Sequence, residues 1–164
     1  MTRGSPMAAN ESVRVGDPAP DFTLPSATGE PVRLGDLRGH SEVVLFFYPK
    51  DDSPVCTTQA CAFRDHYEAF RDAGVEVIGV SADSAESHRR FAAKHRLPFR
   101  LLSDADGSLR DRFGVPRTLG LIPGRVTYVI DKQGIVRHIF SSQLQPTKHV
   151  DEALRVLKEI RGRA

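Results

Sequence analysis

"EVVLFFYPKDDSPVCTTQACAFRDHYEAFRDAGVEVIGVS", residues 42–81, decides the fold. Val43 to Tyr48 is a continuous apolar run rich in β-formers, the pattern of a strand buried on both faces, and Pro49 ends it. Ser53 is a natural N-cap and Pro54 a natural first-turn residue. Ala60, Phe63, Tyr67 and Phe70 then recur at helical spacing, and Gly74 supplies a C-terminal stop. One helix from Pro54 to Asp72 is expected, followed by a second buried strand, "VEVIGVS" (75–81).

The same logic extends in both directions. Upstream, "DFTLPSATGEPVRLGDL" (21–37) reads as an N-terminal β-hairpin turning at Ser26 to Glu30. Downstream, a helix capped by Asp83 or Ser84 runs to His95, "FRLLSD" (99–104) is a short strand, and Ser108 to Phe113 is a short helix. "RVTYVID" (125–131) and "IVRHIFSS" (135–142) form a hairpin through Lys132-Gln133-Gly134. The last helix spans Thr147 to Arg161, with Val150, Ala153, Leu154, Leu157 and Ile160 on one face. Alternating strands and helices with a late hairpin imply an α/β fold, a central mixed sheet flanked by helices on both faces. Residues 1–12 are expected to be disordered and 13–164 to form one domain.

Composition narrows the function. Lys plus Arg is 23 and Asp plus Glu is 21, too even a balance to suggest a nucleic-acid partner. No apolar run approaches membrane-helix length. The opening "MTRGSPMAANES" has no apolar signal core and is short for a transit peptide, so a reducing cytoplasm is the expected location. In that setting a disulfide is transient and catalytic rather than structural.

The chain has two cysteines, Cys56 and Cys61. Cys56 falls in the first turn of the expected helix, where unpaired N–H groups and the helix dipole favour an anion. The thiolate is the reactive form of cysteine. A free cysteine is as often an inert core residue, and the residues alone leave both readings open. Five helical residues separate the two Cα atoms by roughly 8–9 Å, beyond the reach of a disulfide. The pair is thus a poor static bridge and a plausible switch, helical when reduced and locally unwound when oxidised. Five-residue steps also prevent Cys56, Cys61 and His66 from converging on one metal ion. His40, His88, His95, His138 and His149 are read as surface residues without ligand spacing.

"FYPKDDSPVCTTQAC" (47–61) resembles the active-site loop of the peroxiredoxins, specifically the bacterioferritin-comigratory-protein or peroxiredoxin Q group. The family pattern P-x-x-x-[TS]-x-x-C matches Pro49, Ser53 and Cys56, and the group's second cysteine matches Cys61. Similarity continues through "GDPAPDFTLP" (16–25), "LLSD" (101–104), "GVPR" (114–117), "PGRVTYVID" (123–131) and "FSSQLQPTKHVDEAL" (140–154). After Gly120 it is closer to the plant and cyanobacterial type. Ser53 stands where the family often has Thr, and Val55 where it often has Gly, which implies a stiffer loop.

The resemblance implies a thioredoxin-like fold in its peroxiredoxin variant and a thiol-dependent peroxidase acting on hydrogen peroxide and organic hydroperoxides. It implies that Cys56 is the peroxidatic nucleophile and Cys61 the resolving residue, joined transiently in a Cys56–Cys61 disulfide. The Ser53 hydroxyl, the backbone N–H groups of Val55 and Cys56 and the Arg125 guanidinium would stabilise the transition state, with Pro49 shielding Cys56. Thioredoxin, or glutaredoxin in its place, would be the reductant. No flavin, haem or metal is required, since both redox equivalents reside on sulfur. A monomer is expected because the resolving thiol lies within the chain. Leu119 and Leu121 are candidates for an apolar edge of the site. A thioredoxin-type disulfide oxidoreductase would need CxxC. A non-enzymatic peroxide sensor or redox-switch binding domain using the same disulfide is the alternative left open.

Overall fold

The computed structural model describes residues 12–118 and 122–162. Apart from Ser12, the segment expected to be disordered lies outside them, as do Leu119 and Leu121. The elements are β1 (Thr23–Pro25), β2 (Pro31–Arg33), a 3-10 turn (Leu34–Leu37), β3 (Glu42–Phe47), α1 (Pro54–Asp65), α2 (Tyr67–Asp72), β4 (Val75–Ser81), α3 (Ala85–His95), β5 (Arg100–Ser103), α4 (Ser108–Phe113), β6 (Arg117–Thr118), β7 (Ile122–Pro123), β8 (Val126–Ile130), β9 (Val136–Ser141) and α5 (Pro146–Gly162).

The main sheet has the order β5-β4-β3-β8-β9. β3, β4 and β5 run parallel, while β8 and β9 are antiparallel to their neighbours, so the sheet is mixed as expected. β1 and β2 form the N-terminal hairpin, closed by Ser26 N–H to the Glu30 carbonyl at 3.0 Å.

Alternation along β3 divides the core. Val43, Leu45 and Phe47 join one cluster with Phe22, Leu109 and Phe113. Val44, Phe46 and Tyr48 join another with α1, α2, α3 and α5, through Phe63, Phe70, Phe91, Val150 and Leu157. Phe46 stacks on Phe63 of α1, ring centroids 4.5 Å apart. Gly79 faces Phe46 across the β3–β4 ladder, and a Cβ there would stand 2.8 Å from the Phe46 ring. The missing side chain therefore lets α1 dock closely on the sheet.

The single helix expected over 54–72 is broken at His66, whose φ of −106° and ψ of 9° leave the helical region. Its Nδ1 lies 2.9 Å from the Ala62 carbonyl, and its N–H is shared between the Ala62 and Phe63 carbonyls. A side chain competing for the helix's own acceptor explains the interruption.

Candidate active site

The carboxyl ends of parallel strands are where open α/β sheets place ligands. Here the turn after β3 carries Pro49 to Ser53 and leads into α1. Ser53 is the N-cap residue, and the Thr57 N–H to Ser53 carbonyl bond, 2.8 Å, closes the first turn. The N–H groups of Val55 and Cys56 lie in that turn, which has no carbonyl partners within the helix. Cys56 is buried, 2% exposed, in the apolar cluster beneath α1. Cys61 lies on the same helix, half-buried, and both thiols are free. In a continuous helix they are too far apart to bond.

Ser53 departs from its expected capping contact. Its hydroxyl donates to the Lys50 carbonyl at 3.0 Å and makes no bond to the helix's own N–H groups. The tight turn ahead of the helix, with Asp52 at φ +64°, brings that carbonyl within reach and draws the hydroxyl away.

Arg125 arrives from a distant part of the chain through sheet register. Phe47 of β3 faces Val126 of β8, so Arg125 comes level with Tyr48, at the start of the nucleophile's turn. The guanidinium is buried, 3% exposed. Its Nε donates to the Gln143 carbonyl at 3.0 Å and its Nη1 to Gln59 Oε1 at 2.6 Å. Gln59 is fully buried three residues after Cys56, one turn along α1. A fixed positive charge is thereby tied to the helix that carries both cysteines. Gln59 was not among the expected site residues. The signal available was its position one turn from Cys56 on the packed side of an amphipathic helix.

Gly124 precedes Arg125, and a Cβ there would meet the Pro116 carbonyl at 2.5 Å. Gly124→Ala is expected to displace the start of β8, lowering stability by about 1–3 kcal/mol and slowing reaction with peroxide. Thermal melting and a peroxidase assay on the purified variant check both.

Two histidines contradict the surface reading: His88 and His149 are fully buried. Each falls on the apolar face of its helix, His88 three residues before Phe91 and His149 four before Ala153, so the 3.6-residue period carries them inward. His149 Nε2 donates to the Ser142 carbonyl at 2.8 Å, and Nδ1 accepts from Thr127 Oγ1 at 2.7 Å. It thus holds the residue next to Gln143, whose carbonyl receives Arg125.

Burial pushes the His149 pKa from its usual 6.5 down to about 4, and the nearby Arg125 charge acts in the same direction. The imidazole is therefore neutral in the fold at neutral pH. Between pH 6.5 and about 4 the unfolded chain binds a proton that the native chain does not. Stability should fall as pH drops through that window, by roughly 3 kcal/mol in total from this group. His149→Gln should flatten that part of the curve, measured by denaturant unfolding across pH.

The AhpC/TSA family pattern matches residues 15–139. A chloroplastic peroxiredoxin Q of Sedum lineare is 51% identical over 150 residues, covering 91% of this chain and 80% of the relative. That of Arabidopsis thaliana is 54% identical over 147 residues, covering 89% and 68%. The crystal structure of peroxidoxin BcpB from Mycobacterium tuberculosis superposes with a TM-score of 0.83 at 39% identity, covering 90% of this chain and 98% of that one. The cytoplasmic placement is corrected: both of these relatives are named chloroplastic, so the cytoplasm is not supported. Their names are those of peroxiredoxins, so the non-enzymatic sensor is not favoured. With a thioredoxin-like sheet, a cysteine-bearing first turn and relatives of this identity, the chain belongs to the AhpC/TSA family, in its peroxiredoxin Q group, and is a thiol-dependent peroxidase.

Proposed function

We propose that Cys56 is the peroxidatic nucleophile and Cys61 the resolving thiol of an intramolecular two-cysteine cycle. The observation that carries this reading is the presence of both free thiols on α1, with Cys56 buried in its first turn and Cys61 five residues on. The Cys56 thiolate attacks the terminal oxygen of a hydroperoxide. An S–O bond forms, the O–O bond breaks, and the departing alkoxide or hydroxide takes a proton to leave as alcohol or water. Negative charge is shared among sulfur and both oxygens in the transition state. The Val55 and Cys56 N–H groups and the Arg125 guanidinium are the donors suited to it. The Ser53 hydroxyl would have to turn from the Lys50 carbonyl to contribute, and Pro49 limits access of water to the thiol.

Cys56 is then a sulfenic acid. The first turns of α1 unwind, the Cys61 sulfur attacks Cys56, the S–S bond forms, and the hydroxyl leaves as water with the Cys61 proton. An external dithiol, thioredoxin in this reading, reduces the bridge by exchange. In this reading the chain works as a monomer, since Cys61 lies on the same chain and the cycle requires no partner thiol. In a coupled assay with NADPH, thioredoxin reductase, thioredoxin and peroxide, the reduced protein should consume NADPH in multiple turnovers. Absence of thioredoxin-linked consumption, with peroxide still oxidising the protein, would overturn the reductant assignment.

A further inference from the structure

A second polar cluster lies directly upstream of the nucleophile, and the mechanism above does not use it. Its centre is Asp51, buried five residues before Cys56. Tyr48 Oη donates to Asp51 Oδ1 at 2.6 Å, and Ser87 Oγ donates to Oδ2 at 2.9 Å. His88 Nδ1 stands 2.7 Å from the same Oδ2. The Asp51 N–H donates to Asp83 Oδ2 at 2.7 Å, and Ser81 Oγ donates to that oxygen at 2.7 Å. The cluster joins the ends of β3 and β4 and the first half of α3 to one residue of the active-site turn.

Proton counting places a shared hydrogen between His88 and Asp51. His88 Nε2 lies 3.0 Å from the Leu102 carbonyl, which can only accept, so Nε2 carries a hydrogen. The contact between Nδ1 and Asp51 requires a second proton. Tyr48 and Ser87 also donate to the carboxyl, so both of its oxygens are engaged in a buried network. A buried pair of this kind is weak evidence for stability in general, and its best-attested role is to fix one conformation among several.

The conformation being fixed is unusual. Asp52 has φ +64°, the left-handed region that a non-glycine residue holds only when its surroundings over-determine it. Upstream of Asp52 stand the buried bonds of Asp51. Downstream stand the Ser53 bond to the Lys50 carbonyl and the start of α1. The Asp52 side chain is exposed and, among the described residues, reaches Lys94 and His95, both at 3.4 Å. The boundary between a tethered and a releasable backbone therefore falls at Asp52.

We infer that the buried Asp51–His88 pair is the fixed end of a hinge at Asp52. It holds the Lys50–Ser53 turn so that Cys56 is presented to peroxide, and it confines the unwinding that lets Cys61 reach Cys56 to residues after Asp51. Asp51 and His88 are positioning residues, and the inference rests on the two-cysteine reading proposed above. Loss of the pair has opposite consequences for the two half-reactions. Attack on peroxide needs the ordered turn and slows. Disulfide formation needs the turn to open and is unchanged or faster. A merely stabilising cluster would not separate the two.

The test mixes the reduced full-length protein with hydrogen peroxide, quenches rapidly, and resolves thiol, sulfenic acid and disulfide by mass. Asp51→Ala should slow sulfenic acid formation roughly ten- to a hundredfold while the disulfide step keeps or exceeds its wild-type rate. Asp51→Asn, which can accept from Tyr48 and donate to a neutral His88, should recover most of the attack rate. If Asp51→Ala does not fold, His88→Gln takes its place with the same expected split. Amide exchange of the oxidised wild type should keep Tyr48 and Asp51 protected while Thr57, Thr58 and Gln59, whose N–H groups make the first helical bonds of α1, lose protection. Wild-type attack rates in Asp51→Ala or His88→Gln overturn the hinge, as do equal losses in both steps or exchange that spreads through Asp51. A wild-type protein that forms no Cys56–Cys61 disulfide overturns the two-cysteine reading and the hinge together. A normal wild-type disulfide with unmoved variants overturns the hinge alone.

Discussion

Cys56→Ser should bring peroxide consumption down to the rate without protein. A serine oxygen cannot accept the peroxide's terminal oxygen and carry it as a stable, reducible intermediate, whereas a thiolate sulfur can. Removal of a nucleophile from a working constellation generally costs on the order of 10⁶-fold, since the remaining donors have nothing to act upon. The loss should not come from unfolding. Cys56 is buried, but serine is nearly its size, and a hydroxyl in a first helical turn finds N–H groups to bond. Circular dichroism and a melting curve close to wild type, together with absent NADPH consumption in the coupled assay, are the expected pair of results. Appreciable turnover by the folded variant would move the chemistry to Cys61 or away from sulfur altogether.

The Arg125 guanidinium should matter only while Cys56 is present, because its charge is directed through Gln59 at the helix bearing that thiol. This connection also marks where sequence reading stops. The core over 42–81 is legible because Val43 to Tyr48 is a continuous apolar run, 75–81 is rich in β-formers, and the segment between them repeats its apolar residues at helical spacing, although the break at His66 is not written in that period. The two thiols stand out by their placement in a first turn and five residues on, but the residues alone leave inert and reactive readings open, and the separate roles come from the family resemblance. The position of Arg125 is a different matter. Its proximity to Tyr48 depends on β8 pairing antiparallel beside β3 with Val126 facing Phe47, and no local propensity encodes that pairing. Only the family resemblance drew attention to it. Gln59, Asp51, His88 and His149 lie at packed positions where apolar residues are the usual occupants. Their roles come from partners distant in sequence, Arg125 for Gln59 and Thr127 for His149, so a scan for clustered polar residues passes over them.

Cys61→Ser should leave the first half of the cycle intact and nearly stop the second. The side chain sits half-buried on α1, outside the first turn, so peroxide should still oxidise Cys56 once per chain at close to the wild-type rate. Resolution then has to come from a thiol in solution. An intramolecular thiol on a short flexible segment acts at an effective concentration in the millimolar range, so micromolar thioredoxin attacking the sulfenic acid directly should turn over on the order of 10²- to 10³-fold more slowly. The sulfenic acid therefore persists, and excess peroxide should drive it to the sulfinic form that ordinary thiols do not reverse. Three measurements distinguish this from a general defect. Rapid-quench mass spectrometry should show a full burst of sulfenic acid, steady-state NADPH consumption should be small, and inactivation should steepen with peroxide concentration. Amide exchange adds a fourth: oxidised wild type should lose protection in the first turns of α1, while oxidised Cys61→Ser keeps it, because only formation of the bridge requires the helix to open. A variant that cycled at the wild-type rate would show that α1 never needs to unwind and that Cys61 is not the resolving residue.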